Sequence, residues 1–531
     1  MRIVRVSIAF LIILSISISF TQDIKGEKRA YTLDELRDIF SKFNYETSLV
    51  YYNNDAYGEE VDTTKFITEY NYVLTDRTLL QSLWNAYNSE NDPQLKESYK
   101  RFYRELSSDI IWQNLRAYTD ELYNLEASLD VYVDDETIAY RDVGNKIYLS
   151  DDRNYRKDLY DAMKPLTLRY FNPLLMTIVD RQRDICKELG FENYENYWQK
   201  MHNIDFNQLS SLLDEILKET DGLFKDILTK RAKETLNFEI SEIKPYDRGQ
   251  LFRLKGYDEY FKAENMLPFM KRLLLGLGLD LDSQKNITID FKDIPEKSGR
   301  ASTYMIKVPE DIRVLGKPSA GIEDYTTLFH EMGHAQHYAN CKEKYYEFKL
   351  LGDSGITEGY AFLFENIFMD PIFLIEEVGV PEDIAKKIMW RNLFTDLSSL
   401  RYYISLFNYE RVLHKGGGDP IEFYRNIMEK NLLIPKTSED AELGYLGANE
   451  DFYSVYYLEA WFLSAMLKDY LKSHYGERWY KNKEAGDFLK GLWSEGERFT
   501  TVEIAKKIGY DGLDIKPIIK LIKERYEFVT K

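Results

Sequence analysis

The chain of 531 residues carries 89 acidic against 70 basic side chains, a formal net charge of −19. Without a basic patch to displace counterions from a phosphate backbone, nucleic acid is not expected as a partner, and the acidity reads as a well-solvated surface. Glycine (28) and proline (13) are sparse while aromatics reach 15%, which argues against a turn-rich all-β fold and for long helices around a deep core.

At the amino end, Arg2 and Arg5 precede an apolar run over 8–20. It is short for a bilayer span but matched to the core of an export signal, and Ser17, Ser19 and Thr21 supply small residues for cleavage. Residues 1–21 are therefore expected to be a signal peptide, or else an uncleaved membrane anchor. The protein is then exported, to a periplasm or the extracellular space, and meets a membrane only if that segment is retained. Cys186 and Cys341 are too few for a disulfide scaffold and read as buried free thiols.

From about residue 34 the apolar residues recur at helical spacing. Leu209, Leu212, Leu213, Ile216 and Leu217 follow Asn207 as a cap, and similar patterns run over 79–125, 155–189, 384–413 and 453–471. Loops are expected at 88–93, at 415–420 with three consecutive glycines, and at 435–447, none of them a domain boundary. One segment breaks the helical habit: Ser302-Thr303-Tyr304-Met305-Ile306-Lys307-Val308 is rich in β-formers and precedes Pro309. As an exposed edge it would pair with an extended peptide whatever the peptide's side chains; an ordinary strand of a small sheet is the equal alternative.

His330-Glu331-Met332-Gly333-His334 dictates chemistry. A helix is expected over 324–338, and two histidines four apart share one helical face, able to grip one ion through imidazole nitrogens at about 2.0 to 2.1 Å. With only six histidines in the chain, coincidence explains the motif poorly, and the spacing reads as a zinc hydrolase. Glu331 points beside the metal, where a base must stand to deprotonate water. A catalytic zinc needs a third protein ligand. Glu343, Glu347, Asp353, Glu358 and Glu365 are the candidates, and Glu358 is preferred because Gly359 and Ala361 beside it are small enough for close helix packing. His337 falls off the metal-facing line and reads as a packed histidine. His202, His414 and His474 lack ligand-like spacing and read as structural or surface residues.

The run from Asp324 to His337 resembles the active-site helix of the thimet oligopeptidase, neurolysin and oligoendopeptidase family of zinc peptidases, with a more distant likeness to angiotensin-converting enzyme. In both groups a glutamate some two dozen residues past the second histidine completes the zinc site, the place Glu358 occupies. The stretch 355–366 resembles the family's ligand helix, which makes Glu365 an outer residue orienting a ligand. Tyr453 and Tyr456 reproduce the family's two tyrosines three apart. This implies Tyr456 as the oxyanion donor, with Tyr457 as its rival, and Tyr453 as a substrate contact. Arg300-Ala301-Ser302-Thr303 resembles the substrate-pairing edge strand, with Ala301 a substrate-binding position. Three features depart from the pattern: no histidine lies between His414 and His474, where both groups carry one before the tyrosine pair; 444–447 lacks the converting enzyme's carboxylate-anchoring lysine; and the expected export signal sets the chain apart from oligopeptidase relatives that are mostly cytosolic.

The likeness implies a mainly α, two-lobed helical metallopeptidase with a deep central groove and a small β-sheet next to the motif helix. Its single catalytic domain would span 22–531, with an active-site core over about 298–471. It would hold one Zn2+ per chain and hydrolyse peptide bonds, as an oligopeptidase of short peptides. The alternatives are a metallocarboxypeptidase trimming C-terminal residues and, from another class, a non-catalytic exported binding protein with a vestigial zinc site.

Overall fold

The computed structural model describes residues 31–61, 64–253, 256–299, 301–317 and 321–531, so the segment expected to direct export and Arg300 lie outside the described residues. The chain is mainly helical with little sheet. Strands β1 (Asp130–Val133) and β2 (Glu136–Ala139) form a hairpin, and β3 (Ile287–Asp290), β4 (Ser302–Lys307) and β5 (Asp311–Leu315) form a sheet in the order β3-β5-β4. β5 runs parallel to β3 and antiparallel to β4, which leaves β4 at one end of the sheet. The first helix, Leu33–Tyr57, packs on that strand through Tyr52 and Tyr304, whose rings are 5.4 Å apart, and Asn44 donates to the Met305 carbonyl (3.2 Å).

Several boundaries differ from the sequence reading. The pattern over 79–125 is two helices, Arg77–Ser89 and Pro93–Ser128; Asp92 accepts the Leu95 amide as N-cap, and Pro93 occupies the first turn, where a missing N–H costs nothing. The helix expected behind Asn207 begins at Phe206, because Asp205 takes the amides of both Asn207 and Gln208. The expected loop over 435–447 holds a short helix, Ser438–Gly444, started by a Thr437–Asp440 capping box. The glycine triplet does break the chain: Gly416, Gly417 and Gly418 all adopt positive φ (71°, 95° and 76°), conformations open to glycine, directly after the long helix Glu382–Lys415.

Three helices carry the motif residues: the motif helix Ile322–Ala339, the glutamate helix Ser354–Phe368 and the tyrosine helix Tyr453–Tyr475. Glu323 and Asp324 suit the positive end of the motif helix, which buries Tyr325, Leu328, Phe329, Met332 and Ala335. Glycines set the spacing between these helices. A Cβ on Gly333 would stand 2.6 Å from the Ala361 Cα, and one on Gly359 would stand 2.7 Å from Leu463 Cδ2. The tyrosine helix begins without a side-chain cap of its own, at Phe452 in the left-handed region. Glu410 of the long helix holds that end, accepting the Glu450 amide (2.5 Å) and the Ser454 hydroxyl (3.1 Å). Cys186 and Cys341 are buried and unpaired. Among the described residues no helix is long and apolar enough to cross a membrane.

Candidate metal centre

One turn apart on the motif helix, His330 and His334 turn their Nε2 atoms toward each other at 3.2 Å. Glu358 Oε2 lies 3.4 Å from the first and 3.9 Å from the second. Among the described residues these are the His/His/Glu atoms that fit together around one ion. A tetrahedral ion with bonds of about 2.0 to 2.1 Å sets its ligands about 3.3 Å apart, so the three separations fit such an ion with small adjustments. The opposite face of each ring is already held: His330 Nδ1–H donates to Glu365 Oε2 (3.3 Å), and His334 Nδ1 is 2.7 Å from the Thr357 hydroxyl. Partners on Nδ1 fix each ring and leave the Nε2 lone pair inward, as a ligand requires.

Glu358 Oε2 has no hydrogen-bond donor although the residue is only 1% exposed. An unpartnered buried carboxylate oxygen is costly, and a cation between it and the two imidazoles removes that cost. The titration behaviour agrees. Burial opposes charge on both rings, yet the negative carboxylates of Glu358 and Glu365 beside it lift His330 well above the ordinary histidine range. Burial, with the charge of His330, drives His334 well below it. The pair therefore holds a proton where the donor set suits a divalent ion.

Of the other candidate ligands, Glu365 is the partner of His330 Nδ1, and three are held by arginines: Glu343 by Arg498 (2.7 Å), Glu347 by Arg37 (2.6 Å) and Asp353 by Arg104 (2.7 Å). His337 is fully buried, with Nε2 on the Gly496 carbonyl (3.1 Å), and burial lowers its pKa to about 4. His414 is buried against Asn449, and His474 bonds locally to Tyr470.

Glu331 stands next to His330, and Thr303 of β4 places its hydroxyl 2.8 Å from Glu331 Oε2 and 2.9 Å from the Glu331 carbonyl. Burial raises the Glu331 pKa, with the charge of His330 and the Thr303 bond opposing. Thr303 belongs to the stretch expected as a substrate-pairing edge strand, and its bond to Glu331 is an addition that spacing does not signal. Ala301 stands one residue ahead of β4.

The tyrosines divide. Burial and the Glu358 carboxylate raise the pKa of both Tyr453 and Tyr457, which places these phenols in the field of the candidate ligand. The Tyr456 hydroxyl is instead directed at His202, 3.1 Å from Nδ1 and 3.5 Å from Nε2. His202 thus has a part beside the tyrosine pair that its spacing did not suggest. It stacks on Trp198 (4.0 Å), and its Nδ1–H donates to Asp353 Oδ1 (2.6 Å). Arg104 donates to the same oxygen (2.7 Å) and to the carbonyls of Leu351 (2.6 Å) and Gly352 (2.7 Å). Asp353 sits at the N-cap of the glutamate helix yet makes no cap bond, because its carboxylate is turned to Arg104 and His202. Burial lowers the His202 pKa to about 4, leaving a neutral ring. The same burial would raise Asp353, but Arg104 and His202 hold it below the usual carboxylate range.

No protein-family model matches the chain, and no curated protein matches it. Fold and site together define a helical protein whose His330, His334 and Glu358 form a cluster able to hold a metal ion.

Proposed function

We propose that this protein is a zinc-dependent peptidase that hydrolyses short peptides in a groove between two helical lobes, with β4 as the edge on which the substrate lies. The observation that carries the reading is Glu358 Oε2, buried and without a donor, facing two imidazole nitrogens with Glu331 beside them.

Held by His330, His334 and Glu358, a zinc ion would supply Lewis acidity toward water and toward the scissile carbonyl. Glu331 takes the proton from the attacking water as its oxygen bonds to the carbonyl carbon. The same carboxyl then delivers that proton to the amide nitrogen as the C–N bond breaks, so Glu331 ends as it began. Its burial raises its affinity for the proton it carries, and the Thr303 hydroxyl keeps it oriented. Tyr456, once its hydroxyl leaves His202, donates a hydrogen bond to the oxyanion, while Tyr453 contacts the substrate. Thr357 and Glu365 keep the two imidazoles aimed inward.

The test is mass-spectrometric mapping of cuts in a mixture of short peptides, with and without a chelator. Internal cuts that the chelator abolishes support the reading, and an intact mixture refutes it. Amidating the peptide C-termini separates an oligopeptidase, which still cuts, from a carboxypeptidase, which stops.

A further inference from the structure

Three stripes of side chains lead away from the metal trio. On the glutamate helix, Glu358 is followed at helical spacing by Phe362 and Glu365; on the tyrosine helix, Tyr457 is followed by Trp461; on the long helix, read toward its start, Tyr403 is followed by Leu400 and Asp396. Ring contacts join the stripes. Phe362 lies 5.5 Å from His330 and stacks on Trp461 (5.6 Å, 12°), and Tyr403 meets both Tyr457 (5.1 Å) and Trp461 (5.6 Å). Beside them a recess is lined by Phe362, Leu400 and Trp461, by Ile518 and Ile522 of the C-terminal helix Lys516–Thr530, and by Glu365, Asp396 and Arg525.

Its size and charge select an occupant. The free space of about 40 Å³ holds about three waters, at roughly 10 to 15 Å³ each, room for part of a side chain to enter. Two carboxylates face one guanidinium. Arg525 is withdrawn, its side chain 7% exposed and bonded to Asp396 (2.7 Å) and Asn366 (2.5 Å), whereas the side chains of Glu365 and Asp396 are 30% and 37% exposed. The charge presented to the recess is therefore negative. Phe362 is one helical turn beyond Glu358, about 6 Å along the axis, within one side chain's length of a carbonyl at the trio.

We propose that this recess is the subsite for the side chain of a substrate residue flanking the cleaved bond, and that it takes lysine. The methylenes lie along Phe362, Leu400 and Trp461, and the ammonium meets Glu365 and Asp396. The assignment rests on the peptidase reading above.

It is tested on the full metal-loaded chain with matched peptides that carry lysine, or its uncharged near-isostere norleucine, at each position around the cut. At one position kcat/KM favours lysine by about tenfold or more, and Asp396→Asn brings the lysine-to-norleucine ratio close to unity, whatever the absolute rate. Equal cutting of lysine and norleucine peptides at every position overturns the proposal, a comparison that needs no variant to fold. So does an Asp396→Asn protein that keeps the full preference. Cleavage without lysine preference sinks the subsite alone, whereas no cleavage of any peptide sinks the peptidase reading and the subsite with it.

Discussion

The hydroxyl of Tyr456 rests 3.1 Å from Nδ1 of His202, a ring supplied by a helix some two hundred and fifty residues earlier in the chain. Because Asp353 accepts the Nδ1 proton of that ring, the lone pair open to the Tyr456 proton is on Nε2, 3.5 Å from the hydroxyl. A phenol has one proton to give, so Tyr456 must leave His202 before it can serve an oxyanion. Tyr456→Phe is expected to lower kcat by about a hundredfold with little change in KM, since the bond it removes forms in the transition state. Steady-state kinetics beside Tyr457→Phe decide the assignment: if the second variant loses kcat and the first does not, Tyr457 is the donor.

Asp353 joins Arg104 to His202 at distances of 2.7 and 2.6 Å. Asp353→Ala leaves the Arg104 guanidinium, 13% exposed, without its carboxylate. Removing one partner of a buried pair costs about 3 to 5 kcal/mol, and urea denaturation should show a loss of that order. A change below about 1 kcal/mol, the worth of an exposed pair, would mean the pair is open to water.

Acid should destabilise the fold in a defined window. Burial lowers His202 and His337 to about 4, whereas both titrate near 6.5 when unfolded. Below 6.5 the unfolded chain takes up protons that the folded chain refuses, so this part of the stability is complete above about pH 6.5 and is lost as pH falls toward 4. Thermal melts of the metal-free protein should drop through that interval, less steeply in His337→Gln. An unchanged pH profile in that variant would contradict the assignment.

Helix spacing gives a further expectation. In Gly333→Ala the new Cβ meets backbone, the Ala361 Cα at 2.6 Å and the Tyr360 carbonyl at 2.7 Å, so the motif and glutamate helices must separate. Overpacking of this kind costs about 1 to 3 kcal/mol, and metal affinity should fall with it. Gly222→Ala, inside the helix Phe206–Leu236 and with nothing within 4 Å of the new atom, should instead stabilise by about 0.5 to 1 kcal/mol. Equal effects of the two on the melting temperature would dismiss the close approach as the cause.

What the sequence made legible was local. The histidine pair and Glu331 lie within one turn of helix, where spacing alone sets direction, and Glu358 stood out because small residues beside it permit the close approach found at Gly333 and Gly359. Long-range partners left no periodic trace: Arg104 reaches Asp353 across 249 positions, and Tyr456 reaches His202 across 254. Capping was ambiguous at the scale of two residues, since Asp205 and Asn207 both suit a helix start and only the folded backbone shows which amides are taken. The division of the tyrosines was equally hidden, because residues three and four apart share a helical face while their hydroxyls find different partners.

The most direct measurement is elemental analysis of the purified chain, of Glu358→Ala and of Glu331→Gln, paired with peptide hydrolysis by each. The account predicts stoichiometric zinc in the parent and in Glu331→Gln, turnover in the parent alone, and depleted zinc in Glu358→Ala. Full zinc occupancy in Glu358→Ala, or near-parental cleavage by Glu331→Gln, would contradict it.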